Sequence, residues 1–264
     1  MMSPSTVRRA ENGRLVWYGD PADAAYWDHL WLAQSSEHTY ASAEKGNLGY
    51  FEGVFTRYLP RSGRILEAGC GLARLVLALR VRGYDVEGVE WAQETVQLVK
   101  EAQPQIPVRV GDVTHLDVPD GWYAAYISLG VVEHLRGGPE PFLREAWRVL
   151  EPGGVALISV PYYSPLRRAK ALLGFYGQPH AGLSFYQYAF AEREFDGFLR
   201  QAGFRVVDHY RYDRVRGFAD ELPLLPWVYR RRGIGWRLRR FVSRSQWLEQ
   251  HFGHMTMAIC RKPT

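Results

Sequence analysis

Ile65-Leu66-Glu67-Ala68-Gly69-Cys70-Gly71-Leu72-Ala73-Arg74 is the stretch whose reading decides the fold. A short apolar run, Arg64 to Glu67, enters a tight glycine turn, and a helix opens after it. Glycine at such a turn lets the backbone approach a bound nucleotide where any side chain would clash. The next run, Asp85 to Glu90, ends on a carboxylate twenty-one residues after Gly69. An acid there can accept both hydroxyls of a ribose, because the strand ends of an open parallel sheet gather at one edge. Asp112 follows a third run, Val108 to Gly111, where an adenine amino group would be read. Two glycines between strand and helix are common for packing reasons alone. Glycines, Glu90 and Asp112 at three successive strand ends are a much rarer coincidence.

Outward from this stretch, short apolar runs alternate with helical spacing, the pattern of βα units on a parallel sheet. Tyr123 to Leu129 and Val155 to Val160 read as further strands. Ala92, Val96 and Val99 keep helical spacing, as do Phe142, Ala146, Val149 and Leu150. Glu151-Pro152-Gly153-Gly154 stops the second of these helices. Later, Phe195, Phe198, Leu199 and Ala202 share one helical face, Phe204 to Val207 reads as a strand, and His254 to Cys260 as the last. The fold class is therefore α/β, a Rossmann-like doubly wound sheet.

A dinucleotide-binding oxidoreductase also uses glycines followed by an acid. Its fingerprint needs Gly or Ala at the sixth position, where this chain has Arg74, and Glu67 would repel a pyrophosphate. A cationic amino group or a sulfonium would not be repelled. With Glu67-x-Gly69-x-Gly71, Glu90, Gly111-Asp112, Ser128-Leu129-Gly130-Val131-Val132-Glu133-His134-Leu135 and Arg148-Val149-Leu150-Glu151-Pro152-Gly153-Gly154, the chain resembles the class I S-adenosylmethionine-dependent methyltransferases. Within them it is most similar to the broad group that includes quinone-type small-molecule O-methyltransferases. The match is good over about 60–160 and looser over 190–262, and it departs from the pattern at Ala73, where a third loop glycine is usual, and at Ala124, where an acid is common.

The resemblance implies a seven-stranded sheet, mostly parallel, with the last strand antiparallel. It implies S-adenosylmethionine as cofactor, leaving as S-adenosylhomocysteine. Glu67 would face the methionyl amine, Gly69 and Gly71 would line the cofactor, and Glu90 would hold the ribose. Asp112 with Val113 would frame the adenine, Leu129 and Gly130 would pass beside the adenosyl and methionyl groups, and Arg74 and Trp91 join this cofactor-binding set. The implied activity is methyl transfer to a small or lipophilic acceptor, with O-methylation expected. N- or C-methylation, an oxidoreductase and a non-catalytic relative of the fold are the alternatives.

His134 follows the fourth strand at the same edge, and imidazole can take a proton near neutral pH, so it is the candidate general base. A structural role is the competing reading. Two aromatic segments fall outside the alternation. Residues 1–60 are read as an N-terminal helical cap carrying Trp27, ahead of a methyltransferase domain over 61–264; residues 161–190 are read as a lid insertion carrying Tyr162, Tyr163 and Tyr186. These four aromatics and Glu133 are the candidate acceptor contacts.

Composition is ordinary for a globular chain, at 47% hydrophobic and 23% charged over 264 residues. Cys70 and Cys260 are too few and too distant for a metal cluster or redox motif, so no metal is expected. No apolar run approaches the length of a membrane span and no hydrophobic segment follows Arg8 and Arg9, which makes a cytoplasmic setting the expectation. Seven arginines against one acid, Glu249, lie between Leu222 and Gln250, while the rest carries 26 bases and 27 acids. A helix over Ile234 to Leu248, within the basic segment 213–250, would turn its arginines and tryptophans away from its apolar stripe. That face suits a solvated surface or peripheral contact of 222–250 with an anionic membrane; no nucleic-acid fold accompanies it.

Overall fold

Alternate side chains of a strand point to opposite faces, and the strands of this chain are apolar on both. Ile65, Ile127 and Leu157 enter one core, while their neighbours Leu66, Tyr126 and Ile158 enter a second on the other side. A sheet of that kind must be covered by helices on both faces.

The computed structural model describes residues 6–177, 182–222, 240 and 245–264. In chain order its elements are β1 (Val7–Glu11), β2 (Arg14–Gly19), α1 (Ala24–Gln34), α2 (Glu52–Tyr58), β3 (Ile65–Ala68), α3 (Arg74–Val81), β4 (Val86–Glu90), α4 (Gln93–Ala102), β5 (Val108–Val110) and β6 (Tyr123–Leu129). Then follow α5 (Glu140–Val149), β7 (Leu150–Pro161), α6 (Pro165–Leu172), β8 (Ser184–Ala189), α7 (Glu192–Gln201), β9 (Arg205–Tyr212), α8 (Arg214–Glu221), α9 (Gln246–Phe252) and β10 (Met255–Arg261).

The main sheet has seven strands in the order β5-β4-β3-β6-β7-β10-β9. β3 pairs in parallel with β4 and β6, and β10 is antiparallel to both β7 and β9. Val76 and Leu79 of α3 and Val96 and Val99 of α4 fill one core; Leu143 and Val149 of α5 and Phe195 and Leu199 of α7 fill the other. Strand order reverses between β3 and β6, and the crevice at such a switch point lies beyond the carboxyl ends of the strands.

The N-terminal segment departs from the expected helical cap. It opens with a β-hairpin whose two-residue turn, Asn12-Gly13, has φ of +48° and +81°. This is the mirror-image turn whose twist suits two antiparallel strands. β2 then pairs with β8, out of the 161–190 segment, so the two aromatic segments form one three-stranded cap sheet. Tyr163 is buried in the core of that cap with Leu15 and Trp17. Most of the helix expected over Ile234 to Leu248 lies outside the described residues. Among those described, no helix is long and apolar enough to cross a membrane.

Candidate functional site

β3, β4 and β6 end on one cavity of about 1360 Å³. β3 delivers Glu67, and the chain then turns through Gly69 (φ +74°), Gly71 (φ +51°) and Ala73 (φ +51°) into α3. A Cβ on Gly69 would stand 2.5 Å from a Val131 methyl, and one on Gly71 2.8 Å from the Trp31 ring. Both glycines are therefore required by space as well as by dihedral angle. Ala73 adopts the left-handed conformation with its side chain fully buried, a strain of about 1–2 kcal/mol.

Glu67 is 5% exposed. Burial pushes its carboxyl up to about 8, and Oε2 has no hydrogen-bond partner among the described residues. A buried acid short of a partner is in the state that an incoming ammonium would relieve. Glu90 is held differently. Its Oε2 accepts from the Gly71 amide at 2.7 Å, and its Oε1 from the amides of Trp91 at 2.7 Å and Ala92 at 3.1 Å. These bonds fix the carboxylate at the cavity wall and tie the glycine loop to β4. Asp112 accepts from the Thr114 amide at 2.8 Å and hydroxyl at 2.7 Å. Arg74, Trp91, Val113, Leu129 and Gly130 line the same cavity; Gly71 lies beneath Trp31.

His134 is delivered by a 3-10 turn, Val132–His134, one step after Gly130 (φ +72°). Its Nδ1 is 2.9 Å from the Tyr186 carbonyl oxygen. A carbonyl can only accept, so Nδ1 carries the proton and Nε2 the lone pair. The ring is gripped edge-on by Trp27 at 4.9 Å and Tyr186 at 5.0 Å between centroids, and the Tyr186 hydroxyl lies 3.3 Å from that of Tyr26. Burial pushes the imidazole down to about 4, so it is neutral at pH 7.

Trp27 joins His134 on the cavity wall, whereas Tyr186 stands behind the imidazole and holds it. Glu133 is 1% exposed and off the wall, its Oε1 4.0 Å from His134 Nε2, with burial raising its carboxyl to about 8. Tyr162 and Tyr163 are not brought to the cavity. Tyr163 packs in the cap, and Tyr162 is buried with Arg211 over its ring. Both were expected as acceptor contacts because aromatics in an out-of-pattern segment look like lid residues. The apolar demand of the cap takes Tyr163, and Tyr162 is taken by Arg211 of β9.

Several wall residues escaped the sequence reading. Trp31 lies one helical turn after Trp27, a spacing that already puts both rings on one face of α1. Asp28, between them, reaches across to α4, its Oδ1 accepting from the Thr95 amide at 2.7 Å and hydroxyl at 2.8 Å. Tyr212, Arg216 and His254 close the far wall from the ends of β9 and β10 and the first turn of α8, where no motif announces them.

A family model described as "Methyltransferase domain" matches residues 66–158, from β3 to β7. That stretch carries the methyltransferase domain, and the sheet order and antiparallel last strand around it are the fold of class I S-adenosylmethionine-dependent methyltransferases. The chain is 36% identical over 115 residues to a Mycolicibacterium smegmatis protein named "probable S-adenosylmethionine-dependent methyltransferase", a match covering 42% of this chain and 43% of that one. It is 27% identical over 156 residues to a ubiquinone biosynthesis O-methyltransferase of Xanthomonas axonopodis pv. citri, covering 57% and 64%. The matches thus span from under half to under two thirds of the length of these curated relatives. In fold it is similar to the Burkholderia thailandensis 1,6-didemethyltoxoflavin-N1-methyltransferase, solved with S-adenosylhomocysteine, at a TM-score of 0.53 and 17% identity over 98% of this chain and all of that one.

Proposed function

We propose that the chain binds S-adenosylmethionine at the glycine loop and transfers its methyl group to an oxygen of a small, flat acceptor. The observation that carries the reading is His134, whose protonated Nδ1 is taken by a carbonyl and whose Nε2 lone pair remains, on the wall of the cavity that Glu67 and Glu90 also line. The orphaned Glu67 oxygen suits the methionyl ammonium, the amide-fixed Glu90 suits the ribose hydroxyls, and Asp112 with Val113 suits the adenine. A diphosphate in that place would meet a buried carboxyl and no basic partner on β3.

When bound, the cofactor supplies a methyl group on a cationic sulfur and leaves as a neutral thioether. Little covalent chemistry is asked of the protein, and alignment alone can contribute roughly 7–11 kcal/mol in well-oriented systems. Trp27 and Trp31 cover the loop and exclude water. His134 Nε2 takes the hydroxyl proton as the new O–C bond forms. An imidazolium is unfavourable in so dry a place, as the lowered pKa says, yet the pocket's net charge is unchanged by the step because a cation is lost from sulfur as one arrives on the ring. The similarity to ubiquinone biosynthesis O-methyltransferases favours oxygen as the acceptor atom.

The test is methyl transfer from labelled cofactor to a panel of phenols and catechols, with His134→Gln beside the parent. The expected result is product with the parent, a turnover about 10²–10⁴-fold lower with the variant, and unchanged affinity for S-adenosylhomocysteine. A loss below about tenfold would remove His134 as the base.

A further inference from the structure

Acids line both ends of the cavity, and Arg216 stands at the far one, exposed and beside Asp213. The cavity's glycine-loop end carries Glu67, Glu90 and Asp112, and the one base there, Arg74, acts on Glu67. Its far end carries Arg216, in the first turn of α8, whose position is fixed by Asp213: that residue adopts φ +57°, and its Oδ1 accepts from the Arg216 amide at 3.4 Å. A left-handed non-glycine residue is strained by about 1–2 kcal/mol and persists only where its surroundings hold it.

The guanidinium of Arg216 has no ion-pair partner among the described residues, whereas several bases around it do. Arg211 is paired with Glu192, Arg214 with Glu249, and Arg8, Arg167 and Lys170 all converge on Glu221. Arg216 is close enough to Tyr186, Asp213, Asp220 and His254 to act on all four electrostatically. Tyr186 is also the residue that grips His134, so Arg216 and the candidate base look into the same compartment from different walls. The walls between are flat rings: Trp27 beside His134, and Tyr50, Phe51 and Tyr212 packed on one another, with Phe51 to Tyr212 at 5.1 Å.

From this arrangement we infer that the acceptor is an aromatic ring carrying both a hydroxyl and a carboxylate, with Arg216 the residue that selects the carboxylate. The inference rests on the methyltransferase reading and narrows it to a substrate class. A hydroxyl directed to His134 and an anion directed to Arg216 would orient the ring in one way only. Guanidinium suits a planar carboxylate because two parallel N–H donors match its two oxygens. In the transfer the sulfur–methyl bond breaks with its electron pair staying on sulfur, the oxygen–methyl bond forms, and the phenolic proton passes to His134 Nε2. The carboxylate keeps its charge throughout and serves only to orient.

The experiment is calorimetric titration of the protein, saturated with S-adenosylhomocysteine, with 3,4-dihydroxybenzoate and with its methyl ester. The acid should bind at least about tenfold tighter than the ester, as a two-point pair of guanidinium and carboxylate would give. Arg216→Gln should bring the two affinities together, and Arg216→Lys should keep part of the preference, which a merely structural role for the side chain would not do. Affinity for S-adenosylhomocysteine should be unchanged in both variants. Equal binding of acid and ester to the parent protein, or binding of neither, overturns the assignment without recourse to any variant and leaves the methyltransferase reading standing. Failure of S-adenosylhomocysteine itself to bind overturns both.

Discussion

Glu67 joins burial and an ionisable group in one side chain, and the proposed function sets a ligand's ammonium against it. Its carboxyl is held up at about 8 by burial, so below that pH the ligand-free protein carries it protonated. An ammonium brought against it favours the ionised form, so binding must release a proton. A site that releases protons on binding gains affinity as pH rises. The affinity for S-adenosylhomocysteine should therefore climb between pH 6 and pH 8, by up to about tenfold per unit, and flatten above. Calorimetry at pH 6.5 in buffers of different ionisation enthalpy should count close to one proton released, and Glu67→Gln should abolish the release. A pH-independent affinity would mean that the carboxyl does not face the amine. At this scale much of the candidate cavity's lining was legible. Glu67, Gly69, Glu90 and Asp112 stand at strand ends, and a parallel sheet brings its strand ends together whatever lies elsewhere. Arg216 and His254 were not legible, because they come from irregular junctions whose course depends on tertiary packing.

Among the elements, α1 shows how a weak pattern can carry a role. The helix buries no residue fully, yet it covers the glycine loop with Trp31 and caps α4 with Asp28. The bond from Asp28 to Thr95 satisfies one of the amides that the first turn of a helix leaves unpaired. Asp28→Ala should free that amide and loosen α1 at a cost of about 1–2 kcal/mol. Little of this should register as global stability, since α1 adds no fully buried side chain. Hydrogen exchange would report it as faster exchange in α1 and the first turn of α4, with a raised KM for the cofactor. Unchanged exchange in α1 would show that its position is held by the two tryptophans alone. The strands of the main sheet were readable from apolar runs bounded by Gly and Pro. The N-terminal hairpin also had a signal, Asn12-Gly13 between Val7-Arg8-Arg9-Ala10 and Leu15-Val16-Trp17-Tyr18, but the aromatic richness of the segment suggested a helical lid. The pairing of β2 with β8 had no local signal, because about 170 residues separate the partners.

At the scale of the molecule, cap and core are joined by a clasp on Glu221. Arg8 from β1, Arg167 and Lys170 from α6 and the Tyr176 hydroxyl all bond its carboxylate, which is itself the last residue of α8. Arg167 is 1% exposed and also donates to the carbonyls of Tyr162 at 2.8 Å and His254 at 3.3 Å. One carboxylate thus connects the hairpin, the insertion after β7 and the helix that carries Arg216. Its cations hold the Glu221 carboxyl below the usual range although burial, the largest single influence, opposes them. The clasp is therefore at full strength at neutral pH and is lost as pH falls through that lowered value. Glu221→Gln removes the charge and leaves Arg167 buried with Asp220, 3.7 Å away, as its nearest acid. Breaking a buried pair from one side typically costs about 3–5 kcal/mol, roughly 6–20 °C in Tm for a chain of this size. Arg8 and Lys170 keep about a fifth of their side-chain surface in water and can turn outward, so the loss should come almost wholly from Arg167. Replacing both partners, as in Arg167→Met with Glu221→Leu, should then recover most of the stability, as apolar substitutes for buried pairs often do. If the double variant melts no higher than Glu221→Gln, the clasp holds through its surface cations instead, and the link from cap to α8 lies at Arg8 and Lys170.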